Sequence, residues 1–116
     1  MSEHDDRIRD MEMALRVALA SVRPEASFYQ KKMFGGAGFW VDGLIFAAWF
    51  GESLALKLPP EAREALLAIP GTVARTEMGA YVEVPPDWID DPAQLEPWVA
   101  RSVDFVKAGK KKKSSR

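Results

Sequence analysis

The chain has 116 residues, 47% of them hydrophobic and 28% charged, enough for one globular domain and too few for two. It contains no cysteine, which excludes disulfides, thiolate metal sites, CxxC redox chemistry and a cysteine nucleophile. The net charge of -1 conceals an asymmetry: residues 107–116 hold Lys107, Lys110, Lys111, Lys112, Lys113 and Arg116 with no acid, and the other 106 residues carry ten basic side chains against seventeen acidic ones. An acidic body with a basic end is expected.

Ile8, Met11, Leu15, Ala18, Leu19 and Val22 recur at steps of three and four with charged residues between them, predicting an amphipathic helix over 6–22 that stops before Pro24. From Phe28 onward, short aromatic and branched runs predict strands at 28–33, 38–41, 44–50 and 53–58. Asp42-Gly43 is the signal for a type I′ hairpin, which needs positive φ at both central residues, and Gly51-Glu52 suits a type II′ turn. Leu54, Leu56 and Leu58 alternate with Ser53, Ala55 and Lys57, so one face of that strand is expected to be buried. Pro59-Pro60-Glu61 opens a second helix, ended near Ile69 by Pro70-Gly71. A strand pair over 73–76 and 80–84 turns at Met78-Gly79. Asp91-Pro92 then caps a third helix with Leu95, Trp98, Val99, Ser102, Val103 and Val106 on one face. Gly109 is placed to stop it, leaving a disordered basic tail over 109–116 after a single domain of residues 1–108.

The order α-β-β-β-β-α-β-β-α lacks regular strand–helix–strand alternation. It predicts a two-layer α+β domain, an antiparallel sheet with its helices on one face. The N-terminal decapeptide lacks the basic and apolar regions of a secretory signal, and no window reaches about 18 consecutive apolar residues. A soluble cytoplasmic protein with no membrane partner is expected.

Met33-Phe34-Gly35-Gly36-Ala37-Gly38 is rich in glycine, but it leads into Phe39-Trp40-Val41 and a hairpin rather than a helix. It therefore lacks the context of a phosphate or dinucleotide loop. The simpler reading is a bulge or tight link in which glycine supplies positive φ or close backbone approach. Lys32-Met33-Phe34-Gly35-Gly36-Ala37-Gly38-Phe39-Trp40-Val41-Asp42-Gly43 followed by Phe46-Ala47 resembles the signature of the TfoX/Sxy N-terminal domain family. Leu58-Pro59-Pro60-Glu61, the Met78-Gly79 turn, Val84-Pro85-Pro86 and the final helix through Trp98 are similar to stand-alone members, so the resemblance covers roughly residues 8–107. It implies a secretion-chaperone-like α+β fold. It places Met33, Phe34, Gly35, Gly36, Gly38 and Gly43 in the family motif, as structural or interaction residues. Two-domain members of the family regulate natural competence together with a cyclic-AMP receptor protein at promoters; their helical second domain has no counterpart in this sequence. The fold also resembles the YjbR/MmcQ group, for which DNA binding has been suggested. The family brings no catalytic residues.

The residues themselves point away from an enzyme. The one histidine, His4, stands before the first amphipathic turn, so neither a nucleophile–base pair nor a histidine-rich metal site can be assembled around it. Asp42, Glu52, Glu77 and Glu83 read as turn or solvent-face acids, with no spacing that brings two to one pocket. No cofactor or metal is expected. A small hydrolase or ligand pocket near residues 33–38 is the residual enzymatic alternative. Phe39, Trp40, Phe46, Trp49 and Phe50 exceed what one strand pair needs. Trp40 or Trp49 on an exposed sheet face would hold a protein partner or a second copy. The leading expectation is thus a non-enzymatic interaction or regulatory domain acting by protein contacts. The alternative is weak nucleic-acid binding through Lys110, Lys111, Lys112 and Lys113, salt-sensitive and without aromatic residues to stack on bases.

Overall fold

The computed structural model describes residues 3–33, 35–75 and 79–114, with side chains over 5–33, 35–75 and 79–109. Phe34 of the glycine-rich motif, Glu77 and Met78 of the second hairpin, and Arg116 fall outside these residues. The elements follow the predicted order: α1 (Glu3–Val22), β1 (Phe28–Met33), β2 (Gly36–Val41), β3 (Leu44–Trp49), β4 (Leu54–Lys57), α2 (Pro60–Leu67), β5 (Val73–Arg75), β6 (Tyr81–Glu83) and α3 (Pro92–Ser114). A 3-10 turn at Pro86–Asp90, which the periodicity does not announce, sets Trp88 into the core ahead of α3.

All six strands form one antiparallel sheet in the order β1-β2-β3-β4-β6-β5. The helical stripes read from the sequence meet on one side of it. Leu15, Ala18 and Leu19 of α1, Ala62 and Leu66 of α2, and Leu95, Val99 and Val103 of α3 share a core with Phe39, Val41, Phe46, Leu54, Leu56 and Val82 of the sheet. This burial is the main source of stability in a fold of this size. The long helices α1 and α3 pack against each other. Arg23 ties them at the rim, its guanidinium donating to both oxygens of Asp104 at 3.0 and 2.5 Å.

The Asp42-Gly43 hairpin forms as the sequence predicts, with φ of 50° and 83° at its two residues. Gly51-Glu52 does not make a two-residue turn: Trp49 pairs with Leu54, so residues 50–53 form the connection, with Gly51 at φ 107°. At the N-terminus the helix begins at Glu3 and includes the backbone of His4. At the other end α3 does not stop at Gly109 but continues to Ser114. Gly109 is not among the left-handed glycines, and the lysines that follow are good helix formers, so nothing local ends the helix.

Between β2 and β3 the register slips. Val41 pairs with Leu44 and Trp40 with Ile45, but Phe39 pairs with Ala47, leaving Phe46 as the extra residue of a bulge. Both Phe46 and Ala47 then enter the core. Phe46 has no Cα partner among the described ladder pairs, and its carbonyl accepts instead from the buried Ser102 hydroxyl of α3 at 2.8 Å.

Candidate interaction face

The sheet's other face carries its own small apolar cluster, Ala48, Ala55 and Tyr81 with Phe50 against them, and among the described residues no helix residue belongs to it. Successive side chains alternate between faces, so the register defines what stands there. One cross-strand row reads Lys31, Gly38, Ala48, Ala55, Glu83 and Val73; a neighbouring row begins Tyr29, Trp40, Ile45.

The small residues of the first row are floors for rings. A Cβ on Gly38 would stand 2.7 Å from Cη2 and Cζ3 of Trp40 and 3.1 Å from Cε of Met33, so the Trp40 indole rests where a side chain would otherwise be. Trp40 also stacks on Tyr29, with centroids 5.3 Å apart and ring planes 4° apart. Tyr29 is 47% exposed and Trp40 is half-buried. The other glycines of this stretch serve the backbone. Gly35 turns the chain at φ 79°, and Gly36 lies so close to β3 that a Cβ would overlap the Trp49 carbonyl oxygen. Gly43 completes the hairpin.

Trp49 does not share this face, which corrects the expectation that it would offer a partner surface. An unbroken ladder from the Asp42-Gly43 turn would pair Trp49 with Gly36 and put it on the same face as Trp40. The bulge at Phe46 shifts β3 by one residue, pairs Trp49 with Ala37, and buries it to 2% exposure on the helix side.

Across β4, β6 and β5 the face is roofed by a second group. Phe50 meets Tyr81 edge to face at 5.6 Å, and the Arg75 guanidinium lies 5.3 Å over the Phe50 ring. Arg75 also pairs with Glu83 at 3.4 Å. Glu83 is buried to 4% exposure, correcting its reading as a solvent-face acid. Burial raises the Tyr81 hydroxyl above its usual pKa and keeps it neutral.

The charges on this face differ from those of the rest of the body. The six strands carry Lys31, Lys32, Lys57 and Arg75 but one acid, Glu83. Residues 1–106 outside the strands hold six basic and sixteen acidic side chains. Lys32 turns to the helix side, where it pairs with Asp5. Lys31 and Lys57 form no ion pair among the described residues.

The remaining candidate acids do not converge. Asp42 sits in the hairpin turn, accepting from the Ser27 amide at 2.9 Å and pairing with Lys107 at 2.9 Å. This bond raises the Lys107 pKa and removes Lys107 from the free basic end. Glu52 instead borders a cleft of about 310 Å³ with Arg7, Asp10, Trp49, Ser53 and Asp90, at the ends of α1 and the 3-10 turn rather than beside residues 33–38. Nothing in the spacing of those residues anticipates their meeting. Among the described residues no group of three or more His, Cys, Asp or Glu is placed to hold a metal ion, and no helix is long and apolar enough to cross a membrane. The backbone of Lys110, Lys111, Lys112 and Lys113 is helical; their side chains lie outside the described residues.

Comparison with curated proteins and with solved structures found no match. A family model, the TfoX N-terminal domain, matches residues 19–106. That segment contains all six strands, the bulge, the glycine motif with its Trp40 floor, and nearly all of the apolar stripe of α3. On that match, over most of its length, the chain belongs to the TfoX N-terminal domain family.

Proposed function

We propose that this domain is a non-enzymatic cytoplasmic interaction module, regulatory as in the two-domain members of its family, and that it works through protein contacts on the open sheet face. The observation that carries this reading is the Tyr29–Trp40 pair, an aromatic stack standing on the sheet face whose apolar cluster includes no helix residue among those described. Contiguous exposed apolar surface of this kind is characteristic of interaction sites, and aromatic residues are enriched where partners bind most strongly. The test is affinity capture with the intact chain and a Trp40→Ser variant, with nuclease treatment throughout. A partner or second copy retained by the wild type and lost with Trp40→Ser is the expected result. Identical retention by both proteins overturns the reading.

A second reading has its own observation, since α3 carries the four consecutive lysines onward as helix. Clustered lysines release counterions from a phosphate backbone and bind without sequence preference. This predicts duplex DNA binding that falls steeply with salt and disappears when residues 110–116 are deleted. Lys107 is kept in that deletion because it is tied to Asp42.

A further inference from the structure

We infer that the occupant of the open sheet face is an acidic amphipathic helix, lying along β2 and β3 with its apolar stripe on Trp40, Ile45 and Met33 and its carboxylates on Lys31 and Lys57. The inference rests on the reading of this face as a protein-docking surface and adds the chemistry of the partner.

Charge is the first argument. Within an acidic body, the sheet presents Lys31 and Lys57 without ion-pair partners among the described residues, and Glu83 is engaged by Arg75. A basic patch on an acidic body attracts a negatively charged partner and orients it. The same charges disfavour a symmetric sheet-to-sheet dimer, which would bring together two faces that each carry Lys31 and Lys57 unpaired among the described residues.

Ring geometry is the second. A single-stranded nucleic acid needs aromatic faces open for bases to stack on. Here Trp40 and Tyr29 stack on one another, while Phe50 takes Arg75 over its ring and Tyr81 at its edge. Each of these rings already gives a face or an edge to a neighbour, which leaves less open ring area for bases than for aliphatic side chains.

Width is the third. Lys31 is on β1 and Lys57 on β4, three strand spacings apart, or roughly 14 Å. An α-helix is about 10–12 Å across with its side chains. One helix therefore fits between the two lysines with an ammonium group on each flank.

The experiment uses the full chain, isotope-labelled, and three probes followed by amide chemical shifts. The probes are a Leu/Glu amphipathic peptide of about five helical turns, its Leu/Lys counterpart, and an oligothymidylate of about ten nucleotides. The expected result is saturable binding of the Leu/Glu peptide alone, with shifts confined to residues 29–33, 38–48 and 55–57. The doubly reversed variant Lys31→Glu, Lys57→Glu should weaken binding about tenfold or more, while Lys31→Arg, Lys57→Arg retains it. Lys31 is exposed and Lys57 half-buried, and an unchanged amide spectrum of the free variant verifies its fold. Equal binding of the Leu/Lys peptide, or no loss in the reversed variant, overturns the charge assignment and leaves the sheet face as the docking surface. Preferential binding of the oligothymidylate at the same residues overturns the inference in favour of nucleic acid. Shifts elsewhere, or none with either peptide, overturn the inference and count against the sheet-face reading as well.

Discussion

Trp40 rests on Gly38: two atoms of the indole lie 2.7 Å from where a Gly38 Cβ would stand. Gly38→Ala must therefore displace the ring, because the contact falls on a rigid aromatic edge rather than a flexible side-chain end. A loss of about 1–3 kcal/mol is expected, as for other overpacked sites, with altered tryptophan emission. Gly36→Ala should cost more, since its new methyl meets the Trp49 carbonyl, which cannot swing away. Urea unfolding of the two variants checks the ranking.

Trp40 and Trp49 should separate stability from binding. Trp49→Ala opens a cavity in the core and should cost about 3–5 kcal/mol. Trp40→Ala removes a half-buried ring and its stack on Tyr29, for about 1–3 kcal/mol. Denaturant midpoints give the stabilities. Partner capture should fail for Trp40→Ala while its fold persists.

Ser102→Ala removes the hydroxyl that satisfies the carbonyl of the bulged residue Phe46. That bond is buried, so the carbonyl is left without this donor and a loss of about 1–3 kcal/mol is expected. Because the bulge sets the register of β3, hydrogen exchange should rise at residues 44–49 more than elsewhere. Uniform exchange across the sheet would show that the bulge does not depend on this bond.

Hydrogen bonding from Arg23 holds the Asp104 carboxyl below its ordinary pKa. A carboxyl with a lowered folded pKa adds stability that is fully present above the unfolded value and is lost as pH falls through the folded one. The pair is largely exposed, with side chains 31% and 58% accessible, so Asp104→Asn should cost only about 0.2–1 kcal/mol at neutral pH. The gap between variant and wild type should close as the pH drops below the carboxylate range. A gap that persists in acid would assign the effect to packing instead of charge.

The local alphabet was enough for the element order and for the faces that helices bury. A stripe at steps of three and four, or an alternation of leucines, reports which side meets the core whatever the partner. Asp42-Gly43 likewise dictated its own turn, since few residue pairs accept positive φ twice. The candidate face was legible only as an excess of aromatic residues. Which tryptophan stands on it depended on one extra residue at Phe46, and a single bulge reverses the facing of everything beyond it. Tertiary structure alone buried Glu83 beneath its neighbours, tied Lys107 to Asp42, and gathered Arg7, Asp10, Glu52 and Asp90 around one cleft. These are contacts between distant segments, and no local period encodes them. The charge split noted at the outset also became a matter of position: the folded body is acidic, but the sheet face it leaves open is basic and aromatic, because the carboxylates went to helices and turns while the strands kept their lysines.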